Sequence, residues 1–537
     1  MEKHSTSAPS ASTSVEIKWS KYMTESLKLS DGPPACYQLE VKRENLDGES
    51  DEESKLSKFT LGTRDPEHPN KTILLVGETG SGKSTLVNAL VNFVMGVKFE
   101  DKVWFQMIPD ETVRPKSQSQ TSEVSVYEVF GFEGTVVPYS LTIIDTPGYG
   151  DTRGIEHDEI ITKKLLELFK APDEVSGVKS MDAVGLVLKS SQNRLDERIA
   201  YVFNSITSIF GKDMDKNIVA MVTYSDGMEP KNVFEVLDDA NIKYARDEDN
   251  EPIYFLFNNR QKDKRGKKKE KTAAQYAFKI SEDGMSEFTD FLVECEPRSL
   301  EETKKVLKER TRLTACIENF KERVNHIEIQ QEAIKMTKEK LNKLTQDVSN
   351  SKIEKTETYK DKEACNMKAL SCTTCEETCH KECPLAFYKP WCVVMKLGKC
   401  TVCSRKCPAG EHVRERWRYV TKTRKVEVTS EEMKRRYDAE AKSEVKKTLL
   451  EDLQEEVEQL QRDKNKCLDD AFEAIEKLEK IALNADSVST YVHLDFLIEK
   501  MKEKKDTEKT TKLEEIKANI QTTSKGGASY SARRHKT

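Results

Sequence analysis

The clearest chemical signature in this sequence is a loop suited to binding phosphate. Residues 77–84 read GETGSGKS and fit the pattern G-x-x-x-x-G-K-[ST], with Gly77 and Gly82 at the glycine positions. Glycine allows consecutive backbone N–H groups to turn inward around a phosphate chain. Lys83 adds a positive charge for the outer phosphates, and Ser84 offers a hydroxyl to Mg²⁺. The loop therefore predicts a nucleoside triphosphate bound together with magnesium.

The segments on either side of this loop read as a strand and a helix. The continuous apolar run from Ile73 to Val76 is typical of a buried parallel strand. After the loop, apolar residues recur with helical spacing at Leu86, Ala89 and Leu90. We therefore expect the phosphates to lie at a helix N-terminus. The order strand, loop, helix disfavours a glycine-rich turn that binds nothing.

A second motif has the spacing of a magnesium and γ-phosphate sensor. The run SLTII at 140–144 predicts a core strand, and the sequence DTPG at 145–148 follows it directly. This D-x-x-G arrangement downstream of a P-loop is typical of GTPases. Asp145 would reach Mg²⁺ through water, and the Gly148 N–H would meet the γ-phosphate.

A third motif indicates which base is bound. The run IVAMVTYSDG places Thr223 and Asp226 where GTPases carry an N/T-K-x-D element. A carboxylate there accepts two N–H bonds from the guanine edge, which adenine does not offer in that geometry. Thr223 in place of Asn and Tyr224 in place of Lys depart from the common pattern. Asn258 follows a further strand, where GTPases place a loop against the base, so the sequence favours guanine.

Strand-like and helix-like segments alternate through this part of the chain. Such alternation predicts a doubly wound α/β domain with its ligand at the carboxyl ends of the strands. Strands are expected at 183–188, 218–223 and 253–257, and helices at 155–169, 195–211 and 230–242.

Composition bounds the rest of the molecule. The chain has 537 residues, of which 34% are charged and 36% hydrophobic, with a net charge of -6 and a mean hydropathy of -0.69. This length predicts two to four domains, and the charge density suits long solvated helices. The sequence has no run of 18 apolar residues and no signal-peptide core. We expect a cytoplasmic protein with no transmembrane segment and no nucleic-acid partner.

Two later segments have heptad spacing. They predict imperfect coiled-coil strands that flank a cysteine cluster. The economical arrangement is an antiparallel hairpin with the cluster at its tip, although pairing between chains fits the periodicity equally well. The first segment carries Leu313, Phe320, Ile327, Ile334, Leu341 and Val348, and the second carries Leu450, Leu453, Val457, Leu460, Cys467, Ala471, Ala474, Leu478 and Ile481, broken by Lys464.

Nine of the 13 cysteines lie between Cys365 and Cys407, and two Cys-x-x-Cys pairs stand among them. Such pairs beside a P-loop favour metal-bound thiolates in a reducing compartment over disulfides. Four N/S ligands close a structural zinc site, so this cluster has enough ligands for two zinc ions. The predicted ligands are Cys372, Cys375, Cys379, His380, Cys383, Cys400, Cys403, Cys407 and His412, with Cys365 and Cys392 left outside the set.

The spacing within the cluster also bears on its role. Only three residues separate Cys375 from Cys379, whereas a RING needs a long spacer after its first pair, so a RING is disfavoured. A nucleic-acid finger would need a basic, aromatic reading helix, which the sequence lacks. The run RERWRYVTKTRKVEVT predicts a β-hairpin or an extended pair that closes the module.

Together, the motifs of the first half resemble the septin-like GTPases, and in particular the GIMAP, or immunity-associated nucleotide-binding, class. The resemblance covers about residues 70–292 and rests on GETGSGKSTLVNAL, the loop with Thr121, DTPGYGDTRG, FGKDMDKNIVAMVTYSD and FNN. It implies magnesium binding by Ser84, Thr121 and Asp145, with Lys83, Thr121 and Gly148 in catalytic roles. It implies nucleotide binding by Gly77, Glu78, Thr79, Gly80, Ser81, Gly82, Lys83, Ser84, Thr85, Asp145, Thr223, Asp226 and Asn258.

The resemblance includes one departure that concerns hydrolysis. Ras-like enzymes orient the attacking water with a glutamine just after D-x-x-G, and here that position is Tyr149. We infer slow intrinsic hydrolysis of GTP to GDP, completed by a residue supplied across a dimer or by a partner. In the alternative interpretation, Tyr149 is a packing residue and other loop groups position the water.

The sequence therefore predicts a P-loop G domain followed by a helical arm with a small zinc module. The predicted segments are a disordered 1–57 with an extended stretch near 38–42 as the exception, a G domain at 58–295, a coiled-coil helix at 296–362, the zinc module at 363–429, a second helical segment at 430–505 and a disordered tail at 506–537.

Three functions compete for this architecture. The first is a GTPase switch that binds GTP or GDP with Mg²⁺, forms homodimers or homo-oligomers through the G domain or the coiled coil, and contacts protein partners through the arm. The second is a nucleotide-binding scaffold without turnover. The third and weakest is a zinc-dependent nucleic-acid or ubiquitin-pathway adaptor.

Overall fold

The computed structural model forms two compact units, one built on residues up to Leu307 and the other on Lys308–Lys480 with Ser489–Lys517. Each unit is described by itself. The structure describes residues 20–46, 56–109, 124–130, 136–148, 161, 164–169, 178–192, 202–205, 207–343, 352–381, 383, 392–429, 449–483 and 488–523.

An eight-stranded sheet forms the centre of the first unit. The strands are β3 (Lys42–Asn45), β4 (Leu56–Leu61), β5 (Asn70–Gly77), β7 (Val124–Val129), β8 (Ser140–Asp145), β10 (Ala183–Lys189), β11 (Ile218–Thr223) and β12 (Tyr254–Leu256). Their order in the sheet is β12-β11-β10-β5-β8-β7-β4-β3, and only the β7–β8 and β3–β4 pairs are antiparallel. The predicted doubly wound α/β fold is confirmed.

Apolar side chains explain why β5 lies inside the sheet. Residues 73–76 have no exposed surface, and β5 pairs in parallel with β8 on one side and β10 on the other. A strand covered on both faces needs such a continuous apolar run. The helices of this unit are α1 (Lys83–Val94), α2 (Lys231–Asp239) and α3 (Lys268–Glu294). Residues 164–169 and 202–205 are also helical, inside two of the predicted helices.

The N-terminal region differs from the disorder predicted for 1–57. A second, three-stranded sheet contains β1 (Leu27–Ser30), β2 (Ala35–Gln38) and β6 (Val103–Gln106). Tyr37 is buried, and its ring lies 6.0 Å from that of Phe105. Local sequence around β1 and β2 is too polar to predict strands, because their apolar packing partner, β6, lies far along the chain. A two-stranded pair links β9 (Ser180–Met181) and β13 (Arg298–Ser299).

Helices form much of the second unit. They are α4 (Glu301–Lys343), which begins in the first unit, α5 (Leu449–Ile481), α6 (Val488–Lys504) and α7 (Thr507–Thr523). Lys477 of α5 contacts Glu309 of α4 at 2.5 Å, whereas Lys464 lies 3.3 Å from Glu328. The residue later in α5 contacts the residue earlier in α4, so the two helices are antiparallel. No described helix has both the length and the apolar character required of a membrane span.

The predicted heptad positions of α4 are buried. Leu313, Phe320, Ile327 and Ile334 are each at most 9% exposed. On α5 the buried side follows a different register, with Leu468, Ala471, Phe472, Ile475 and Leu478, because α5 also packs near α6. Val348 lies outside the described residues, as does the side chain of Leu341.

A long β-ribbon replaces the last part of the predicted helix at 296–362. Strand β14 (Lys352–Cys372) pairs antiparallel with β18 (His412–Thr429), from Lys352 opposite Thr429 to Cys372 opposite His412. Local heptad spacing could not reveal this ribbon, because the partner strand lies about 60 residues away. The extended structure predicted for RERWRYVTKTRKVEVT is confirmed, but its partner is β14. Short strands β15 (Glu377–His380), β16 (Met395–Lys396) and β17 (Lys399–Cys400) complete the module.

The sequence predicts the cysteine cluster at the tip of the helical hairpin, but the structure places it elsewhere. It lies beside the N-terminal half of α4, where Arg312 Nε donates to Thr401 Oγ1 at 3.1 Å and Asn319 Nδ2 donates to Glu377 Oε2 at 3.2 Å. The ribbon carries the chain back along the helix before the cysteines are reached.

Candidate functional site

The P-loop joins the end of β5 to the start of α1. Gly80 and Gly82 have φ angles of 80° and 96°, in the left-handed region that other residues rarely adopt. Gly77 closely approaches the neighbouring strand, since a Cβ there would lie 2.5 Å from the Val187 carbonyl oxygen. These glycines curl the loop over the N-terminus of α1, where unpaired N–H groups favour an anion.

Lys83 folds back over the loop. It is 6% exposed, and its Nζ donates to the carbonyl oxygens of Gly77 at 3.0 Å and Glu78 at 3.2 Å. Burial lowers the pKa of the Lys83 ammonium, against the opposing effect of Asp145 and Glu78. A phosphate anion would replace two neutral carbonyl acceptors with a charged one and favour the ammonium form.

Two oxygen groups suited to magnesium meet beside this lysine. The Ser84 hydroxyl lies 3.2 Å from Asp145 Oδ2, and Asp145 is fully buried. The parallel pairing of β5 and β8, which sets Leu75 opposite Asp145, brings the carboxylate to the loop. Carboxylate and hydroxyl oxygens are ligands that Mg²⁺ accepts. Thr121, the third predicted magnesium ligand, lies outside the described residues, as does Tyr149.

The D-x-x-G segment contacts the P-loop directly. The Thr79 hydroxyl donates to the Gly148 carbonyl at 3.5 Å. A Cβ at Gly148 would lie 2.3 Å from Thr79 Oγ1, so only glycine allows this approach. Thr146 fixes the segment from the other side, because its hydroxyl donates to the Leu75 carbonyl at 3.0 Å. The D-x-x-G segment therefore lies directly against the loop that is predicted to bind phosphate.

Thr223 is hydrogen-bonded to the P-loop, whereas the resemblance implied that it recognises the base. Its hydroxyl lies 2.7 Å from the Ser81 carbonyl oxygen and 3.0 Å from that of Leu188, and the residue is 3% exposed. Asp226, by contrast, is exposed, and its Oδ1 accepts from the Met228 N–H at 3.0 Å. The second Asp226 carboxylate oxygen can face a base edge.

Sequence analysis missed the helix that supports the base side of the site. On α3, Tyr276 Oη donates to the Asp226 carbonyl at 3.0 Å, and the Asn258 N–H donates to Ser281 Oγ at 2.9 Å. Asn258 Nδ2 donates to the Ser225 carbonyl at 2.7 Å. Asn258 therefore links the loop after β12 to the loop after β11. Nothing in the local pattern of α3 distinguishes these two hydroxyls from others on an amphipathic helix.

The second candidate site is the cysteine cluster. Ten side chains form three groups, and within each group the ligand atoms lie within 4.8 Å of one another. The groups are Cys372, Cys375, Cys403 and Cys407; Cys379, Cys400, Cys403 and His412; and His380, Cys383 and Cys392. All nine predicted ligands are present, and Cys392, which the prediction left out, joins them. Cys365 stays outside, since its thiol donates to the Met367 carbonyl at 2.9 Å.

His412 has the geometry of a metal ligand. The residue has no exposed surface, and its Nδ1 lies 3.0 Å from the Pro408 carbonyl oxygen. That contact requires the proton on Nδ1 and leaves the lone pair on Nε2. Buried Nε2 has no hydrogen-bond partner among the described residues. Most metal-bound histidines are oriented in this way by an acceptor for the proton on the other ring nitrogen, so the site fits a metal.

Backbone N–H groups point at the sulfurs of the cluster. The N–H groups of Cys375 and Cys403 each donate to the first sulfur of their own pair, Cys372 and Cys400, at 3.4 Å. The hydrogen bond between Cys379 and Cys400 lowers the pKa of Cys400 and raises that of Cys379, whereas burial raises the pKa of Cys372. N–H donors to sulfur favour the thiolate, which is the form that binds Zn²⁺.

Comparison with known proteins finds a family model that matches the region of the first site. Residues 71–282 match the model of the AIG1 family. GTP-binding protein A of Dictyostelium discoideum is 25% identical over 167 residues, 31% of each chain. Immune-associated nucleotide-binding protein 8 of Arabidopsis thaliana is 28% identical over 162 residues, 30% of this chain and 38% of that one. Septin-1 of Drosophila melanogaster is 36% identical over 80 residues, 15% and 19% of the two chains. The chain thus spans less than two fifths of the length of these relatives.

Solved structures give weaker likenesses. Toc33 from Arabidopsis thaliana in complex with Mg²⁺ and GMPPNP covers 43% of this chain and 89% of its own, at 19% identity and a TM-score of 0.29. Elongation factor SelB from Methanococcus maripaludis covers 43% and 36%, at 12% identity and a TM-score of 0.24. The fold assignment therefore depends on the strand order and the P-loop described above.

Proposed function

We propose that this chain, whose residues 71–282 form an AIG1-family domain, binds GTP with Mg²⁺ and acts as a slow GTPase switch. One observation carries the proposal. The Ser84 hydroxyl lies 3.2 Å from Asp145 Oδ2, beside a buried Lys83 whose ammonium donates to two carbonyl oxygens of the loop. A triphosphate–magnesium pair offers phosphate oxygens to Lys83 and a cation to the oxygens of Ser84 and Asp145.

Each residue then has a defined task. The P-loop N–H groups hold the phosphates, and Lys83 exchanges its two carbonyl acceptors for phosphate oxygens. Ser84 and Asp145 hold Mg²⁺, which neutralises charge on the phosphates during hydrolysis. Gly148 responds to the γ-phosphate through its contact with Thr79, and Asp226 selects guanine.

The same domain accounts for a slow rate. The position of the Ras-type glutamine is Tyr149, whose phenol is a poor general base for water at neutral pH. Hydrolysis of GTP to GDP and phosphate is therefore completed by a group from a second copy or from a partner. This predicts turnover that rises with protein concentration.

The second unit couples nucleotide state to partner proteins. Its cysteine cluster takes zinc as a structural ion, since buried thiolates and His412 offer closed N/S sites. Cysteines occupy much of the interior of this small module, so metal–thiolate bonds would supply the stability that a larger apolar core otherwise gives. We place the protein in the cytoplasm, where reducing conditions keep such cysteines available for metal. In the competing scaffold function, nucleotide is bound but never cleaved.

A titration of GTP and ATP against the purified full chain with Mg²⁺ tests binding. We expect GTP to bind, ATP to bind far more weakly, and Lys83→Ala to abolish GTP binding. Lys42→Ala, at an exposed side chain on the edge strand β3, is the matched control and retains it. Unchanged GTP affinity in Lys83→Ala would contradict the assigned pocket.

Single-turnover hydrolysis at rising protein concentration distinguishes the switch from the scaffold. A rate per chain that grows with concentration supports the switch. Bound GTP that stays intact at every concentration supports the scaffold.

A further inference from the structure

We propose that the cysteine cluster holds three zinc ions, two of which share the Cys403 thiolate as a bridge. The inference rests on the structural zinc role proposed above and specifies its stoichiometry. The first two ligand groups each contain four donors only if both include Cys403. The third group shares no residue with either of them.

The distances between ligands suit tetrahedral zinc. Two sulfurs on one Zn²⁺ lie about 3.8 Å apart when each Zn–S bond is about 2.3 Å. The Cys375 and Cys407 sulfurs of the first group are 3.6 Å apart, as are those of Cys383 and Cys392 in the third. Two of the three groups thus each contain one sulfur pair at zinc-binding separation.

Chain spacing explains why Cys403 is the shared residue. The run Cys400-x-x-Cys403-x-x-x-Cys407 has its first member in the second group and its last member in the first. Cys403 lies between them with no exposed surface, and its sulfur accepts the Cys407 N–H at 3.3 Å. A thiolate has further lone pairs, so one sulfur can bind two ions.

The bridge also resolves a shortage of donors. Without Cys403, one of the first two groups would have only three ligands: Cys372, Cys375 and Cys407, or Cys379, Cys400 and His412. Each ion of a structural zinc site normally has four protein ligands. When Cys403 binds both ions, seven side chains supply the eight zinc–ligand bonds that two tetrahedral ions need.

The third ion is held at the end of β15. His380 Nδ1 lies 3.2 Å from the Cys392 sulfur, and all three ligands of this group are buried. Arg414 of β18 orients the site, since its Nε donates to the Cys383 carbonyl at 2.8 Å. The described residues provide three donors here, one fewer than at each of the other ions. This ion should therefore be the first that a chelator removes.

Native mass spectrometry of the full chain, loaded with zinc, gives the stoichiometry. We expect three ions, with one lost first as chelator is added. Cys392→Ser should reduce the count to two, whereas Cys365→Ser, a cysteine outside all three groups, should leave it at three. One or two ions in the unaltered protein would overturn the proposal but keep the structural zinc role. A folded protein that binds no zinc would contradict that role as well.

Cadmium-113 NMR of the cadmium-loaded full chain tests the bridge without any substitution. Two ions that share a sulfur show scalar coupling to each other, and separate ions do not. We expect two mutually coupled signals and one uncoupled signal. Three uncoupled signals would show that Cys403 binds a single ion and would overturn the bridge.

Discussion

The hydroxyl of Thr223 donates to the carbonyl oxygen of Ser81 at 2.7 Å and thereby fixes the P-loop to the end of β11. The same hydroxyl lies 3.0 Å from the Leu188 carbonyl oxygen on β10. One small side chain therefore joins three elements of the nucleotide site. Its place in the base-recognition motif had suggested contact with the base instead.

Thr223→Val should weaken GTP binding although Thr223 need not contact GTP. The change leaves two buried carbonyl oxygens without this donor, which costs about 1–3 kcal/mol in unfolding free energy. Thermal unfolding and GTP affinity are the measurements. Thr223→Ser keeps the hydroxyl and is the control. Equal GTP affinity in the Val and Ser variants would show that the loop does not depend on this contact.

Gly148→Ala should disturb the nucleotide site while leaving the sheet intact. The new Cβ would lie 2.3 Å from Thr79 Oγ1, so the D-x-x-G segment must move away from the P-loop. We expect a loss of about 1–3 kcal/mol in stability and a larger loss of affinity for a GTP analogue than for GDP. Gly266→Ala, where the nearest atom is a flexible Glu270 oxygen at 3.6 Å, is the matched control. Parallel losses for both nucleotides would argue against γ-phosphate sensing.

His326 should make the second unit acid-sensitive. Burial, with a smaller effect from the Lys360 ammonium, lowers the pKa of His326 to about 4 from an ordinary value of 6.5. The unfolded chain then binds more protons than the folded one between these values, so stability falls as pH drops from 6.5 to 4. Partial exposure limits the effect to about 2 kcal/mol.

Urea unfolding of His326→Gln at several pH values tests this assignment. The variant should lose less stability between pH 6.5 and pH 4 than the unaltered protein, and the two should behave alike above pH 7. Identical slopes across the acid range would assign the sensitivity to another group.

Removal of metal should affect the two units differently. The cysteine ligands all lie in the second unit, and a chelator removes the ions that stabilise that fold. We expect calorimetry to show a lower unfolding temperature for one transition. The other transition should still be raised by GTP with Mg²⁺, because bound ligand stabilises the folded state. Loss of both responses on chelation would contradict this separation.

Sequence alone determined the features that are local. The P-loop from Gly77 to Ser84, the D-x-x-G segment and the strands beside them follow from short patterns, because backbone conformation and burial there depend on nearby residues. The nine predicted zinc ligands likewise follow from residue type and spacing, and all nine lie in the clusters.

Tertiary structure decided what depends on distant partners. Strand β14 needs β18 about 60 residues away, so heptad spacing misassigned its first residues to a helix. Tyr37 needs Phe105 before the N-terminal strands have a core. Cys392 becomes a ligand only where His380 and Cys383 meet it. In each case the stabilising contact joins segments that are remote in sequence, so no local pattern contains it.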